Sequence, residues 1–259
     1  MFKSVLALFL FMWVHNLDPV IVQLGPLAVR YYGLAYLIGA LLCYWVLNRA
    51  RTRGDISLTK EDISDFVGWI VLGVLIGSRV FYILFYNLSF YIEHPLKVFA
   101  VWEGGMAFHG GFVGIIVACY LYCRKKNISF FKIADILAVP VLFALALGRI
   151  ANFINGELFG TPTTLPWCVV VPPESVCRHP YQLYDGLKRF VIVGWLVFLQ
   201  RKERAEGFIF WNLVFFEGLG RFVLDFIKDE FTVLYLTPGQ WMSIVMVAVG
   251  GYMLYRRKI

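Results

Sequence analysis

The feature that most limits what this chain can fold into is a recurrence. Seven stretches of about twenty predominantly apolar residues follow one another along it, the length a helix needs to cross a bilayer. They fall at residues 27–47, 63–86, 106–123, 133–153, 182–200, 208–227 and 239–255. Of the 259 residues, 60% are hydrophobic and 16% charged, where a soluble domain holds about 45–50% and about 25%. A soluble core of this size could not hide that excess beneath a polar surface. The same figures exclude disorder, a collagen-like chain and a disulfide-dense mini-protein. The predicted fold class is therefore an all-α polytopic membrane protein of seven transmembrane helices, with residues 1–259 forming one integral-membrane domain.

The connections carry charge on alternate sides. Arg49, Arg51, Arg53 and Lys60 follow the first stretch, and Arg124, Lys125, Lys126 and Lys132 follow the third. Arg201, Lys202 and Arg204 follow the fifth, and Arg256, Arg257 and Lys258 close the chain, so more than half of the 24 Lys and Arg share one side. By the positive-inside rule that side and the C-terminus are cytoplasmic and the N-terminus is outside. The net charge of +7 then reflects sidedness. No basic run interleaved with aromatics points to nucleic acid. The outward connections are residues 87–105, 156–181 and 228–238. Residues 1–14 resemble a signal peptide, but no small-x-small cleavage site follows, and the segment 1–20 reads as an arm lying in the membrane interface. Cys43, Cys119 and Cys123 sit in apolar stretches as small core hydrophobes, with no CxxC pair or metal-ligand spacing among the five cysteines. Cys168 and Cys177 share the longest outward loop, where they either close a disulfide or stand as two free thiols.

A charged side chain at mid-bilayer costs about 2.5–3.5 kcal/mol on insertion scales. Arg79, Arg149, Asp185, Glu217, Arg221 and Asp225 nevertheless lie in or at the edge of the predicted spans. Such groups must pair, face water or approach the interface, and they mark functional sites. The densest cluster is residues 148–157, GRIANFINGE. On a helix Arg149, Asn152 and Gly156 fall on one face at i, i+3 and i+7. A guanidinium fork beside an amide suits a phosphodiester; the alternative is an Arg–Glu pair capping a helix at the membrane edge. Glu217, Arg221 and Asp225 follow at i, i+4 and i+8, with the acid four residues before the arginine, the order in which a helix pair stabilises itself. That stripe either neutralises itself or brings Arg221 to the same head group as Arg149. In residues 102–111, WEGGMAFHGG, glycines around His109 allow a ligand or a helix to approach closely. His109 is then a general base or donor near neutral pH, or a structural residue. His15, His94 and His179 lie in loops. No nucleotide loop, zinc motif or GxSxG elbow suggests other chemistry.

These residues match a known pattern. The run 148–160, GRIANFINGELFG, closely resembles the signature of the bacterial prolipoprotein diacylglyceryl transferases. Tyr31-Tyr32-Gly33-Leu34, the block 104–111 and His179-Pro180-Tyr181-Gln182-Leu183-Tyr184 agree in order and spacing, and Arg79 and Gly220-Arg221 fall where that family has them. The resemblance implies a seven-span enzyme of the bacterial plasma (inner) membrane with its site facing the outer leaflet. Such an enzyme moves the diacylglyceryl group of phosphatidylglycerol onto the lipobox cysteine of exported prelipoproteins and releases glycerol 1-phosphate, with no metal or other cofactor. By position, Arg149 and Arg221 would hold the phosphate and Tyr32 would lie close to it. Asn152, Asn155, Gly156 and Glu157 would complete the head-group site, with Arg79, Asp185 and Asp225 around it. His109 would be the base or an orienting group. A monomer is the expected state.

The chain departs from that pattern in places. Asp185 and Asp225 stand where the family more often has Glu, Lys228 where it often has Arg, and Ala107 where Ser is frequent. The loop 161–178 is short, so any head domain is small. A lipid transporter of the same polar stripe would show paired halves, and no internal repeat is evident.

Overall fold

A computed structural model describes residues 13–25, 27–100 and 104–256. Residues 1–12 of the expected arm, Trp102, Glu103, Arg257, Lys258 and the side chain of His109 lie outside the described residues. The protein is mostly helical. The principal helices are α1 (Tyr31–Thr52), α2 (Lys60–Tyr86), α3 (Leu88–Glu93), α4 (Phe108–Lys125), α5 (Phe130–Ile154), α6 (Tyr181–Leu199), α7 (Phe208–Leu224) and α8 (Pro238–Arg256). Among the described residues α1, α2 and α5 are long and apolar enough to cross a membrane.

The first expected segment is shorter than the hydropathy suggests. Its opening residues are a strand, β3 (Leu27–Arg30), antiparallel to β2 (Val20–Leu24). The β-branched residues of VIVQL and LAVR favour the pleat, and Gly25, at φ +58°, takes the left-handed turn that closes the pair. Upstream, β1 (Trp13–Val14) pairs in parallel with β4 (Val169–Val170), which pairs antiparallel with β5 (Cys177–Arg178). The described part of the arm is therefore tied into a small sheet.

The contacts divide the chain into two compact units: the described residues up to Cys43 together with those from Leu137 onward, and Tyr44–Ile136. In the second unit α2 begins at a capping box, with Thr59 Oγ accepting from the Asp62 amide and Asp62 accepting from the Thr59 amide. Two orphan donors of the helix start are thereby satisfied. The helix then packs on α4 through glycines. A Cβ on Gly73 would stand 2.6 Å from the Gly114 carbonyl oxygen and 2.7 Å from Ala118 Cβ, and one on Gly77 would stand 2.9 Å from Gly114 Cα. Small residues at this spacing let two backbones touch where lipid offers no hydrophobic drive to association. Gly110 and Gly111, beside His109, also meet α2, a Cβ on Gly111 standing 2.6 Å from Ser78 Oγ, so these two serve a helix, one of the two uses the sequence left open. On α2, Val71, Leu72, Ile76 and Leu84 are exposed, while Ser78 and Arg79 are buried. Polar groups inside and apolar groups outside is the arrangement a bilayer favours.

In the first unit a core of Ala138, Leu142, Ile192, Leu196, Leu199 and Ile209 joins α5, α6 and α7. Gly39 on α1 meets α5 closely, a Cβ there standing 2.6 Å from that of Ala144. This core joins the ends of the three helices opposite those that carry the polar cluster.

Candidate active site

The signature segment starts on α5 and finishes in its cap. The helix stops at Ile154, so Gly156 is not on the helical face with Arg149 and Asn152, as its spacing had suggested. It lies in the left-handed region at φ +72°. The Gly156 amide donates to the Phe153 carbonyl at 3.0 Å and the Glu157 amide to that of Asn152 at 3.2 Å. This is the Schellman closure of a helix, which needs a residue free to adopt positive φ. It folds Glu157 back over the last turn, where Asn152 Nδ2 donates to Glu157 Oε1 at 2.7 Å and Asn155 Nδ2 to the same oxygen at 3.3 Å. Asn152 Nδ2 also reaches the Tyr32 hydroxyl at 3.3 Å, and Arg149 Nη1 reaches Asn152 Oδ1 at 3.4 Å. Tyr32, Arg149, Asn152, Asn155 and Glu157 are thus one cluster. The Arg–Glu cap that the sequence allowed does not form, because the amide of Asn152 stands between the two charges.

Arg149 is instead held by Asp185, with Nε 2.5 Å from Oδ2. Asp185 is 1% exposed and also meets Lys188 Nζ at 2.7 Å and Arg189 Nη1 at 3.3 Å. Arg189 turns in addition to Glu217, its Nε and Nη2 lying 2.9 and 2.7 Å from Oε1. The self-neutralising stripe, one of the two readings its spacing allowed, does not hold at Glu217, whose oxygens meet Arg189 and Lys188 of α6. Arg221 pairs forward, its Nε 3.4 Å from Asp225 Oδ2. Burial explains the choice, since Glu217 faces the α6 interface and an unpaired charge there would cost several kcal/mol. Asp225, 1% exposed, also accepts from the Tyr181 hydroxyl at 2.6 Å and from Thr237 Oγ1 at 3.3 Å. The Tyr181 hydroxyl thereby ties the start of α6 to the Arg221 group. Gly239 at the start of α8 leaves room for Arg221, since a Cβ there would stand 2.9 Å from Nη2.

The loop beyond the signature is stitched to both neighbouring helix ends. Gly160 donates to the His179 carbonyl at 2.9 Å, Thr161 to that of Ile227 at 2.9 Å, and His179 to that of Thr161 at 3.1 Å. Arg178 meets Asp229 at 2.6 Å and Glu174 at 2.9 Å. Those two acids, Asp229 first, raise the Arg178 pKa, while burial lowers that of His179. Cys168 and Cys177 are bonded to each other, which corrects the free-thiol alternative. Their backbones approach because β4 and β5 pair Val170 with Cys177.

Arg79 and His109 belong to the other unit. Arg79 is 5% exposed, and its guanidinium donates to the carbonyls of Val98 and Ala100, each at 3.0 Å, and to those of Lys97, Gly104 and Gly105. Its ring partner is Tyr91, 5.1 Å away. Its donors shape the loop before α4 in this structure. His109 is the second residue of α4.

Sequence reasoning passed over Lys188, Arg189 and Thr237, and named Tyr181 only within the matching stretch 179–184. Asp185, Lys188 and Arg189 stand at i, i+3 and i+4 in an apolar stretch, a signal that was there to be read. Tyr181 was marked only by that stretch, and Thr237, from a remote segment, left no signal.

A family model described as prolipoprotein diacylglyceryl transferase matches residues 19–256. The chain is 42% identical over 254 residues to the phosphatidylglycerol–prolipoprotein diacylglyceryl transferase of Geobacter sulfurreducens, covering 94% of this chain and 98% of that protein. It is 43% identical over 246 residues to the protein of the same name from Bordetella parapertussis, covering 91% and 93%. A Vibrio atlanticus protein of that name is 39% identical over 251 residues, covering 92% and 90%.

Proposed function

The chain belongs to the prolipoprotein diacylglyceryl transferase family, and on that premise we propose that it transfers the diacylglyceryl group of phosphatidylglycerol to the lipobox cysteine of exported prelipoproteins. The observation that carries the reading is Arg149. Its Nε is taken by a buried carboxylate, while Nη1 has only a long contact with Asn152 and Nη2 makes no hydrogen bond among the described residues. A guanidinium so anchored turns its outer edge to an anion, and bidentate phosphate binding uses that edge. Asn152, Tyr32 and Glu157 flank it with neutral donors and one acceptor.

In the reaction the acceptor thiol loses its proton and its sulfur attacks the glycerol carbon that carries the phosphate. The carbon–oxygen bond breaks, a thioether forms and glycerol 1-phosphate leaves with its charge on the phosphate. Arg149 and Arg221 stabilise that charge as it develops. Thiolate is the competent nucleophile and a free cysteine has a pKa near 8.5, so His109 is proposed to take or orient the proton. The whole chain acts as one domain with seven spans, the N-terminus outside, in the bacterial inner membrane. Its site opens to the outer leaflet, and the bonded cysteines in the loop 156–181 support that sidedness.

The test is reconstitution of the full chain in vesicles containing phosphatidylglycerol with a lipobox peptide, followed by mass spectrometry of the peptide cysteine. A diacylglyceryl adduct with the wild type and none with folded Arg149→Ala is expected. No adduct from folded wild type across several peptides would refute the assignment.

A further inference from the structure

The buried ion lattice beneath Arg149 has an uneven charge count. Arg149, Lys188 and Arg189 meet Asp185 and Glu217, leaving one surplus positive charge among five groups. Lys188 touches both carboxylates, its Nζ 2.7 Å from Asp185 Oδ1 and 2.9 Å from Glu217 Oε2. These contacts are charge pairs more than aligned hydrogen bonds, since Lys188 Nζ, Arg149 Nε, Asp185 Oδ1 and Glu217 Oε2 have no well-directed partner. The lysine stem reaches this place by lying over Gly220 of α7, where a Cβ would stand 3.0 Å from Lys188 Cγ. Side-chain exposure then sets where the surplus is felt. Arg149 is 19% exposed, against 2% for Asp185, 13% for Lys188, 8% for Arg189 and 11% for Glu217.

We propose that Lys188 is a positioning residue that keeps the Arg149 guanidinium available to an anionic phosphodiester, by neutralising carboxylates that would otherwise absorb its charge. The inference rests on the phosphate-binding role given to Arg149 above. Without Lys188, two cations face two buried carboxylates, and Arg149 becomes a counter-ion with no charge to spare. Burial makes this count matter, because a charge in a low-dielectric site cannot be balanced cheaply by solvent.

The experiment uses the full chain in phosphatidylcholine vesicles containing phosphatidylglycerol as the minor lipid, with bound lipid measured by native mass spectrometry after matched thermal unfolding of each variant. Lys188→Met is expected to weaken phosphatidylglycerol binding by about tenfold or more, the scale of one unit charge a few ångströms away. KM for that lipid should rise while kcat changes little, and Lys188→Arg should bind as the wild type does. The discriminating variant is Lys188→Met/Glu217→Gln, which restores the surplus of one charge while removing two charged groups. It is expected to recover most of the lost binding, whereas a merely structural role predicts a double variant worse than the single. Should Lys188→Met fail to fold, Glu217→Gln alone raises the surplus to two and should bind phosphatidylglycerol more tightly. Wild-type binding by folded Lys188→Met, a double variant no better than the single, or weaker binding by Glu217→Gln would overturn the proposal. The binding arm does not need transfer to occur, so a wild type that binds the lipid but makes no adduct would sink the transferase reading and leave Lys188 to be judged separately.

Discussion

Replacing Gly156 by alanine tests whether the cap of α5 builds the site or merely ends the helix. The residue sits at φ +72°, where an L side chain costs about 1–2 kcal/mol relative to glycine. A Cβ there would also stand 3.2 Å from His15 Cε1, a contact that requires the ring to give by a few tenths of an ångström. His15 cannot give freely, because its Nε2 is 2.7 Å from the Phe153 carbonyl oxygen and its ring packs against Phe153 and Phe159. The strain is relieved by opening the cap, and the group that moves is Glu157. Its bond from Asn152 at 2.7 Å is charge-assisted and worth about 1.5–3 kcal/mol. At about 1.4 kcal/mol for each factor of ten in rate, Gly156→Ala should lower kcat/KM for diacylglyceryl transfer ten- to hundredfold. The midpoint of global thermal unfolding should fall by only a few degrees, the scale of about 1–2 kcal/mol in a chain of this size, since the α5–α7 core is untouched. Asparagine tolerates the left-handed region better than alanine, so Gly156→Asn should retain more activity despite its larger side chain. Initial rates of adduct formation on a lipobox peptide decide the matter. Wild-type turnover by Gly156→Ala would refute the argument, and Gly156→Asn no better than alanine would show that bulk against His15 matters and the backbone does not.

Two other perturbations have magnitudes the structure sets. The Cys168–Cys177 bond closes a loop of sequence separation 9, which the chain-entropy model values at about 2.5–3 kcal/mol; Cys168→Ser/Cys177→Ser should make the loop 160–181 a protease site while the helices stay resistant, and unchanged cleavage would count against it. In the second unit, Gly77→Ala would place a Cβ 2.9 Å from Gly114 Cα and should destabilise the α2–α4 pair by about 1–3 kcal/mol. Gly68→Ala on the same helix meets nothing within 4 Å and should be neutral or slightly stabilising. Thermal unfolding in detergent compares the two, and equal shifts would refute the close-contact reading.

The fold was legible where one physical quantity dominated. Apolar length marked where the long helices lie: a helix occupies each of the seven expected stretches, and among the described residues three of them are long and apolar enough to cross a membrane. It failed at residues 27–30, which follow a left-handed glycine and pair with the β-branched strand Val20–Leu24. Hydropathy measures transfer, and strand against helix is a question of backbone conformation that it does not ask. The cysteines were undecided for a related reason: loop length permits a disulfide, but only the β4–β5 pairing brings the two Cα atoms to 5.5 Å.

At the site, residue identities were legible and pairings were not. Helical spacing placed Glu217 next to Arg221, and an isolated helix would join them. In the protein each buried carboxylate instead takes the partner that best offsets its lost hydration, so Glu217 turns to Arg189 and Lys188 while Asp225 collects Tyr181, Thr237 and Arg221. Local order cannot decide that competition, because the rival partners arrive on other helices and the desolvation cost of a buried acid exceeds the few tenths of a kcal/mol of an exposed i, i+4 pair. Gly239 follows the same logic from the backbone side: with no Cβ it lets α8 lie against the Arg221–Asp225 pair, where a Cβ would stand 3.0 Å from the Arg221 Nε.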